Sequence, residues 1–194
     1  EEAVRPVLHV KPEAWERMRA LLARKGHEAT KKLILVNVGA GNRLRCWGIG
    51  NFCQLILALL EHQTGTIALI GARNDVATAD EIAHIVGHSV VNTAGRLDLG
   101  DLAALISLAN LTITADTAVM HITAALDKPV LSLFGAGLVD YCRPLNAENF
   151  IAKSELGCSG CGDQCFATGY PPPCLAAVTP GYVFDAAVAM LMKN

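Results

Sequence analysis

The chain has 194 residues, a formal net charge of -2 and 52% hydrophobic against 18% charged residues, enough for one domain with a sizeable core. That apolar balance suits strands buried on both faces of a parallel sheet, while the mild acidity and 5% aromatic content argue against a basic nucleic-acid face or a stacking platform for single strands. No apolar run reaches the roughly 18 residues of a membrane-spanning helix and the N-terminus shows no signal-peptide pattern, so a soluble, cytoplasmic domain is expected.

The elements follow in chain order. Pro12 to Arg24 has proline near its start and Trp15, Met18, Leu21 and Leu22 at helical spacing, which predicts an amphipathic helix stopped by Gly26. Residues 1–30 are read as a lead-in or linker, and the start at Glu1 as a sign of a fragment. Lys31 to Val38 is a continuous apolar strand opening into a loop, Gly39-Ala40-Gly41-Asn42, that carries Arg43, Arg45 and Trp47 ahead of a helix from Ile49 to Glu61. Thr66 to Ile70 is the next strand, closed by Gly71. A helix from Asp75 to Val86 and a short strand from Ser89 to Asn92 follow.

Leu99 to Leu108 is a helix with Leu102, Leu105 and Ile106 on one face, and it leads into the strand Leu111 to Thr114. A short helical pattern after Asp116-Thr117 precedes the apolar strand Val130 to Phe134. Phe150 to Lys153 is read as a last strand, and Thr179-Pro180 as the cap and first position of a helix over Tyr182 to Met192. Strands that alternate with helices call for an α/β fold with a doubly wound, mostly parallel, Rossmann-like sheet and right-handed crossovers.

The polar residues of the stretch 111–135 sit where strand becomes helix. Open parallel sheets bind ligands there, outside the carboxyl ends of their strands. With Asp116 or Thr117 as cap, the first-turn N–H groups and the positive dipole end of the helix form an anion site. Thr117 and His121 are spaced i, i+4, which predicts that both overhang that end. Each residue has a plainer reading as well: an aspartate at a strand–helix junction is often only a cap, and a lone histidine is often a hydrogen-bonded core residue.

In combination, DTAVMHITAALDKPVLSLFG is more specific. It resembles the signature of the bacterial lipopolysaccharide heptosyltransferases, glycosyltransferase family nine. There an aspartate, a serine or threonine, a glycine or alanine and a histidine precede an Ala-Ala-Leu helix, a proline and a strand ending in Phe-Gly. Val36 to Ala40 with Arg45-Cys46-Trp47, the segment Ile67 to Gly71 with Asp75 beyond it, and Asn92 to Gly95 are similar to that family in the same order. The resemblance covers Lys31 to the C-terminus.

The resemblance implies the C-terminal, donor-binding half of a GT-B fold over residues 31–194. An ADP-heptose-like donor would be held by Gly39, Ala40, Gly41, Asn42, Asp75, Asp116, Thr117 and Ala118, with Arg45 and His121 as catalytic groups at the leaving diphosphate. Arg45 stands where the family usually has lysine, keeping the charge but changing its geometry, and Ala118 replaces a frequent glycine. Transfer would be inverting and need no metal or other cofactor. The glycolipid acceptor and the acidic base are expected on an N-terminal domain that this chain lacks, at the inner face of the bacterial inner membrane. Two other readings stand beside it: an enzyme of the same architecture using another nucleotide sugar, and a non-catalytic metal-binding or interaction module.

The second reading's basis is a run rich in Cys, Gly and Pro within residues 157–174. Of seven cysteines, Cys158, Cys161, Cys165 and Cys174 form C-x2-C-x3-C-x8-C. Such a set can hold a structural zinc or an iron–sulfur cluster, or remain as free thiols or disulfides. Cys46, beside Arg45, is read as a candidate reactive thiol.

Overall fold

A computed structural model describes residues 6–87, 89–145, 148–162, 164–165 and 169–193 of the chain. Its elements run α1 (Pro12–Arg24), β1 (Leu33–Asn37), α2 (Ile49–Glu61), β2 (Thr66–Ile70), α3 (Val76–Val86), β3 (Val90–Asn92), α4 (Leu99–Leu108), β4 (Leu111–Ala115), α5 (Ala118–Ala125), β5 (Val130–Phe134), α6 (Val139–Cys142), β6 (Asn149–Lys153), α7 (Pro173–Ala176) and α8 (Pro180–Lys193). The six strands form one sheet in the order β3-β2-β1-β4-β5-β6, and every pairing is parallel. The chain winds outward from β1 to β3, returns to the middle and winds out again through β4 to β6. The resulting switch point lies between β1 and β4, where Val36 stands opposite Ile113.

Two cores cover the two sheet faces. On one, Phe52, Leu55, Ile56 and Leu59 of α2, Ile82 of α3 and Val183, Ala187 and Leu191 of α8 pack on Ile34, Val36, Ile67, Leu69, Ile113 and Leu131. On the other, Met18 and Leu22 of α1 and Ala104, Leu105 and Ile106 of α4 pack on Leu33, Leu35, Ala68 and Ile70. The alternate residues of β1 therefore point to opposite layers, and burial on both faces explains its unbroken apolar run. The lead-in helix belongs to this second layer: α1 buries Ala14, Met18 and Leu22 and ties to α4 through Arg17 and Asp101.

The local devices match the residues that form them. The Thr179 hydroxyl accepts from the Tyr182 amide at 3.3 Å, three residues on, with Pro180 at the first helical position. Asp98 accepts from the Asp101 amide at 2.7 Å and starts α4. The Asp75 reading shifts slightly, because Arg73–Asp75 forms a 3-10 turn ahead of α3. Gly87, at φ 83°, ends α3; His88, its neighbour, lies outside the described residues. The four-residue helices α6 and α7 lie in stretches whose sequence carries no helical period.

Candidate functional site

The site forms at the carboxyl ends of β1, β2 and β4, around the switch point. A cavity of about 660 Å³ opens there, lined by the loop Gly39 to Asn42, Arg45, the turn Gly71-Ala72 with Asp75, residues 97–99 and the start of α5. Its long wall is apolar, made by Ile70, Leu97, Leu99, Leu102, Val119 and Ile122. Its polar lining is Asn37, Asn42, Arg45, Asp75, Asp98, Asp116 and Thr117. A ligand with a flat apolar part and an anionic part matches that division.

At the polar end Arg45 Nη1 lies 3.2 Å from Asp116 Oδ2 and donates to the Asp116 carbonyl at 3.4 Å. Asp116 is buried at 4% exposure, and Gly137 presses on its carboxylate from behind, because a β-carbon at residue 137 would overlap Asp116 Oδ2. The aspartate is therefore a fixed anchor, whereas the Arg45 side chain keeps 29% exposure toward the cavity. A buried carboxylate repels a phosphate, so its useful role is to hold the guanidinium in place. Both residues, expected from the sequence to meet the donor, line the cavity and pair with each other, with Arg45 as the more exposed member.

Thr117 occupies the N-cap position of α5 with extended backbone, φ -145° and ψ 173°, yet makes no side-chain cap. Its hydroxyl sits 3.1 Å from the Thr114 hydroxyl and accepts from Asn37 Nδ2 at 3.3 Å. Asn37 Nδ2 also reaches the Thr114 hydroxyl at 3.0 Å and the Gly39 carbonyl at 3.1 Å. This Asn37-Thr114-Thr117 cluster welds β1, β4 and the start of α5 together. With the hydroxyl turned inward, the first-turn amides of α5 have no side-chain cap and their dipole end faces the cavity.

The glycine loop owes its path to close contacts. A β-carbon at Gly39 would overlap the Asp75 carboxylate, and Asp75 Oδ2 accepts from the Ala72 amide at 2.7 Å. Asp75 lines the cavity while bracing two of its loops. Farther along, Arg43–Arg45 forms a 3-10 turn whose Leu44 amide bonds to the Asn42 side chain at 2.9 Å. Trp47 is fully buried and donates from Nε1 to the Val178 carbonyl at 2.7 Å. Arg45 is thus held from two sides, by Asp116 and by the tryptophan two residues on.

Gly39 to Asn42, Arg45, Asp75, Asp116, Thr117 and Ala118 all come together at this cavity. His121 does not join them: it is exposed and absent from the lining, where Ala118, Val119 and Ile122 represent α5. Asn37 and the apolar wall were not singled out in the sequence, although an amide at the end of an apolar strand was a legible signal for the former. Burial pushes the Cys46 thiol up, and its Sγ leans on the Asn42 carbonyl at 3.6 Å; that is the setting of a packed thiol and not of a reactive thiolate.

In the segment 157–174, Cys158 is exposed, Cys161 and Cys165 are half-buried and Cys174 is buried, all as free thiols. Among the described residues no group of three or more His, Cys, Asp or Glu side chains is placed to hold a metal ion, and no helix is long and apolar enough to cross a membrane.

A doubly wound parallel sheet with a mostly apolar cavity at its switch point, carrying the Arg45 guanidinium, defines a Rossmann-like α/β ligand-binding domain. Residues 5–170 match the model of glycosyltransferase family 9 (heptosyltransferase). A lipopolysaccharide heptosyltransferase 3 of Escherichia coli is 33% identical over 135 residues, 69% of this chain and 39% of that protein. In fold, the chain superimposes on an E. coli ADP-heptose lipopolysaccharide heptosyltransferase II with a TM-score of 0.81 at 21% identity, covering 100% of this chain and 55% of that one. A family 9 glycosyltransferase of Veillonella parvula gives a TM-score of 0.83 at 19% identity, over 97% and 54% of the two chains. The chain belongs to glycosyltransferase family 9, the heptosyltransferases, and spans about two fifths of the curated E. coli relative's length.

Proposed function

We propose that the chain is the donor-binding domain of a heptosyltransferase that takes an ADP-activated heptose and transfers it, with inversion, to a lipopolysaccharide acceptor. The observation that carries this reading is the division of the 660 Å³ cavity. Its apolar wall suits a purine, and the guanidinium of Arg45 lies beside the uncapped start of α5, where a diphosphate would sit. The similar heptosyltransferase II is itself described as acting with ADP-heptose, in keeping with that match.

On this reading the sugar leaves the diphosphate as the acceptor hydroxyl attacks the anomeric carbon from the opposite face. Negative charge then grows on the departing phosphate oxygens. Arg45 and the α5 amides are preorganised to receive it, which favours the transition state over the bound substrate. Such a cation does the neutralising work that other transferases give to a metal. On this reading, acceptor binding and the carboxylate that deprotonates the acceptor are assigned to a part of the enzyme other than this domain. The protein would work at the inner face of the inner membrane, where its acceptor is found.

Calorimetric titration of the chain with ADP, UDP and GDP tests the reading. Saturable binding of ADP, with UDP and GDP at least tenfold weaker, is expected. Preference for UDP or GDP would move the protein to another nucleotide-sugar donor, and binding of none would remove the donor role.

A further inference from the structure

The residues on either side of Arg45 are gripped by a segment from the far end of the chain. Arg43–Arg45 is a 3-10 turn, and in such a turn side chains three apart eclipse one another. Arg43 and Cys46 therefore share one face, while Arg45, about 120° round the turn, is directed to Asp116 and the cavity. Tyr170 covers the shared face. Its ring centre lies 4.9 Å from the Arg43 guanidinium carbon, and its hydroxyl shares a hydrogen bond with the Cys46 thiol. Next to it Pro171 closes on Gly48, where a β-carbon would come within 3.3 Å of the proline Cδ. The Trp47 bond to the Val178 carbonyl belongs to the same set of contacts.

The gripping segment is itself anchored. Cys174 and Leu175 are buried and leave no room for a β-carbon at Gly135. The Gly160 and Gly162 amides donate to the Gly135 and Ala136 carbonyls, each at 2.9 Å, beside the Gly137 that presses on Asp116. One segment thus braces both members of the Arg45–Asp116 pair.

We propose that Tyr170 is a positioning residue for Arg45: by holding Arg43 and Cys46 it fixes the turn between them, so that the guanidinium stands ready for the anionic part of the ligand. The assignment rests on the donor role proposed above. Tyr170 and Arg43 are both absent from the cavity lining, so neither acts by touching the ligand. Stacking on the ring also holds the Arg43 charge aside and leaves Arg45 as the cation of the lining. A loop fixed in advance loses less freedom when the ligand arrives. Tyr170 keeps 50% exposure, so its removal opens no hole in the core.

Calorimetric titration with ADP, together with amide hydrogen exchange over residues 42–48, tests the assignment in wild type, Tyr170→Ala, Tyr170→Phe, Arg45→Ala and the Tyr170→Ala/Arg45→Ala double variant. Tyr170→Ala is expected to bind ADP about fivefold more weakly, and Tyr170→Phe, which keeps the ring over Arg43, within about twofold of wild type. In the Arg45→Ala background Tyr170→Ala should cause no further loss, because it acts through the arginine. The loop amides should exchange about tenfold faster in Tyr170→Ala while those of β1 keep their rates, which shows that the sheet is intact. Unchanged or tighter ADP binding in Tyr170→Ala, an equal loss that persists without Arg45, or unchanged loop exchange would each overturn the assignment. A wild-type chain that ignores ADP sinks the donor reading instead, and the exchange comparison then decides alone whether Tyr170 holds the loop.

Discussion

Removing the Arg45 guanidinium is the sharpest probe of the anion end. At 3.2 Å from Asp116 Oδ2, its gross attraction is roughly 5 kcal/mol at an effective dielectric of about 20, much of it offset by desolvation. Toward a bound diphosphate, one charge-assisted hydrogen bond contributes about 2 kcal/mol. Arg45→Ala is therefore expected to weaken ADP about 30-fold in calorimetric titration. Asp116→Asn keeps the volume against Gly137 but loosens the tether, at about 1 kcal/mol or fivefold. Because the aspartate works through the arginine, the double variant should bind ADP no more weakly than Arg45→Ala alone. Losses that multiply to about 150-fold would show that Asp116 meets the ligand independently. Unchanged ADP affinity in Arg45→Ala would remove Arg45 from the site.

Three other outcomes follow from the structure. Gly137→Ala forces a β-carbon into the Asp116 carboxylate, and should lower stability by about 1–3 kcal/mol in urea titrations while weakening ADP. Trp47→Phe keeps a ring against Phe52 but orphans the buried Val178 carbonyl; a loss of about 1–3 kcal/mol is expected, read from the denaturation midpoint. His27 bonds Thr66 Oγ1 through Nδ1 at 2.8 Å, and burial lowers its pKa below the usual histidine value. The unfolded chain then takes up the proton first. Stability should fall as pH drops below about 6.5, and His27→Gln should flatten that part of the urea-midpoint profile.

The bounds of α1, α2, α4, β2 and β5 were readable because each is long or unbroken enough for its period to show and carries its own stop, such as Gly26 or Gly71. The helices α6 and α7 have four residues each, too few for any period. Most of the cavity's polar residues were legible as well, since they cluster at strand-to-helix junctions. Their relations were not. The pairing of Arg45 with Asp116 joins residues 71 positions apart, and no local pattern encodes it. The position of His121 was not readable from spacing either: the i, i+4 rule applies between helical residues, whereas Thr117 is extended. Counted from Ile122, which does line the cavity, residue 121 is turned by about 100°.

The bond from Trp47 to Val178 spans 131 residues. During synthesis from the N-terminus the arginine loop leaves the ribosome long before the carbonyl that locks it. Until the segment ahead of α8 has emerged and docked, Trp47 lacks that partner and Arg45 lacks one of its two restraints. The Arg45 end of the cavity is in this sense assembled last, together with the α8 layer that covers one face of the sheet.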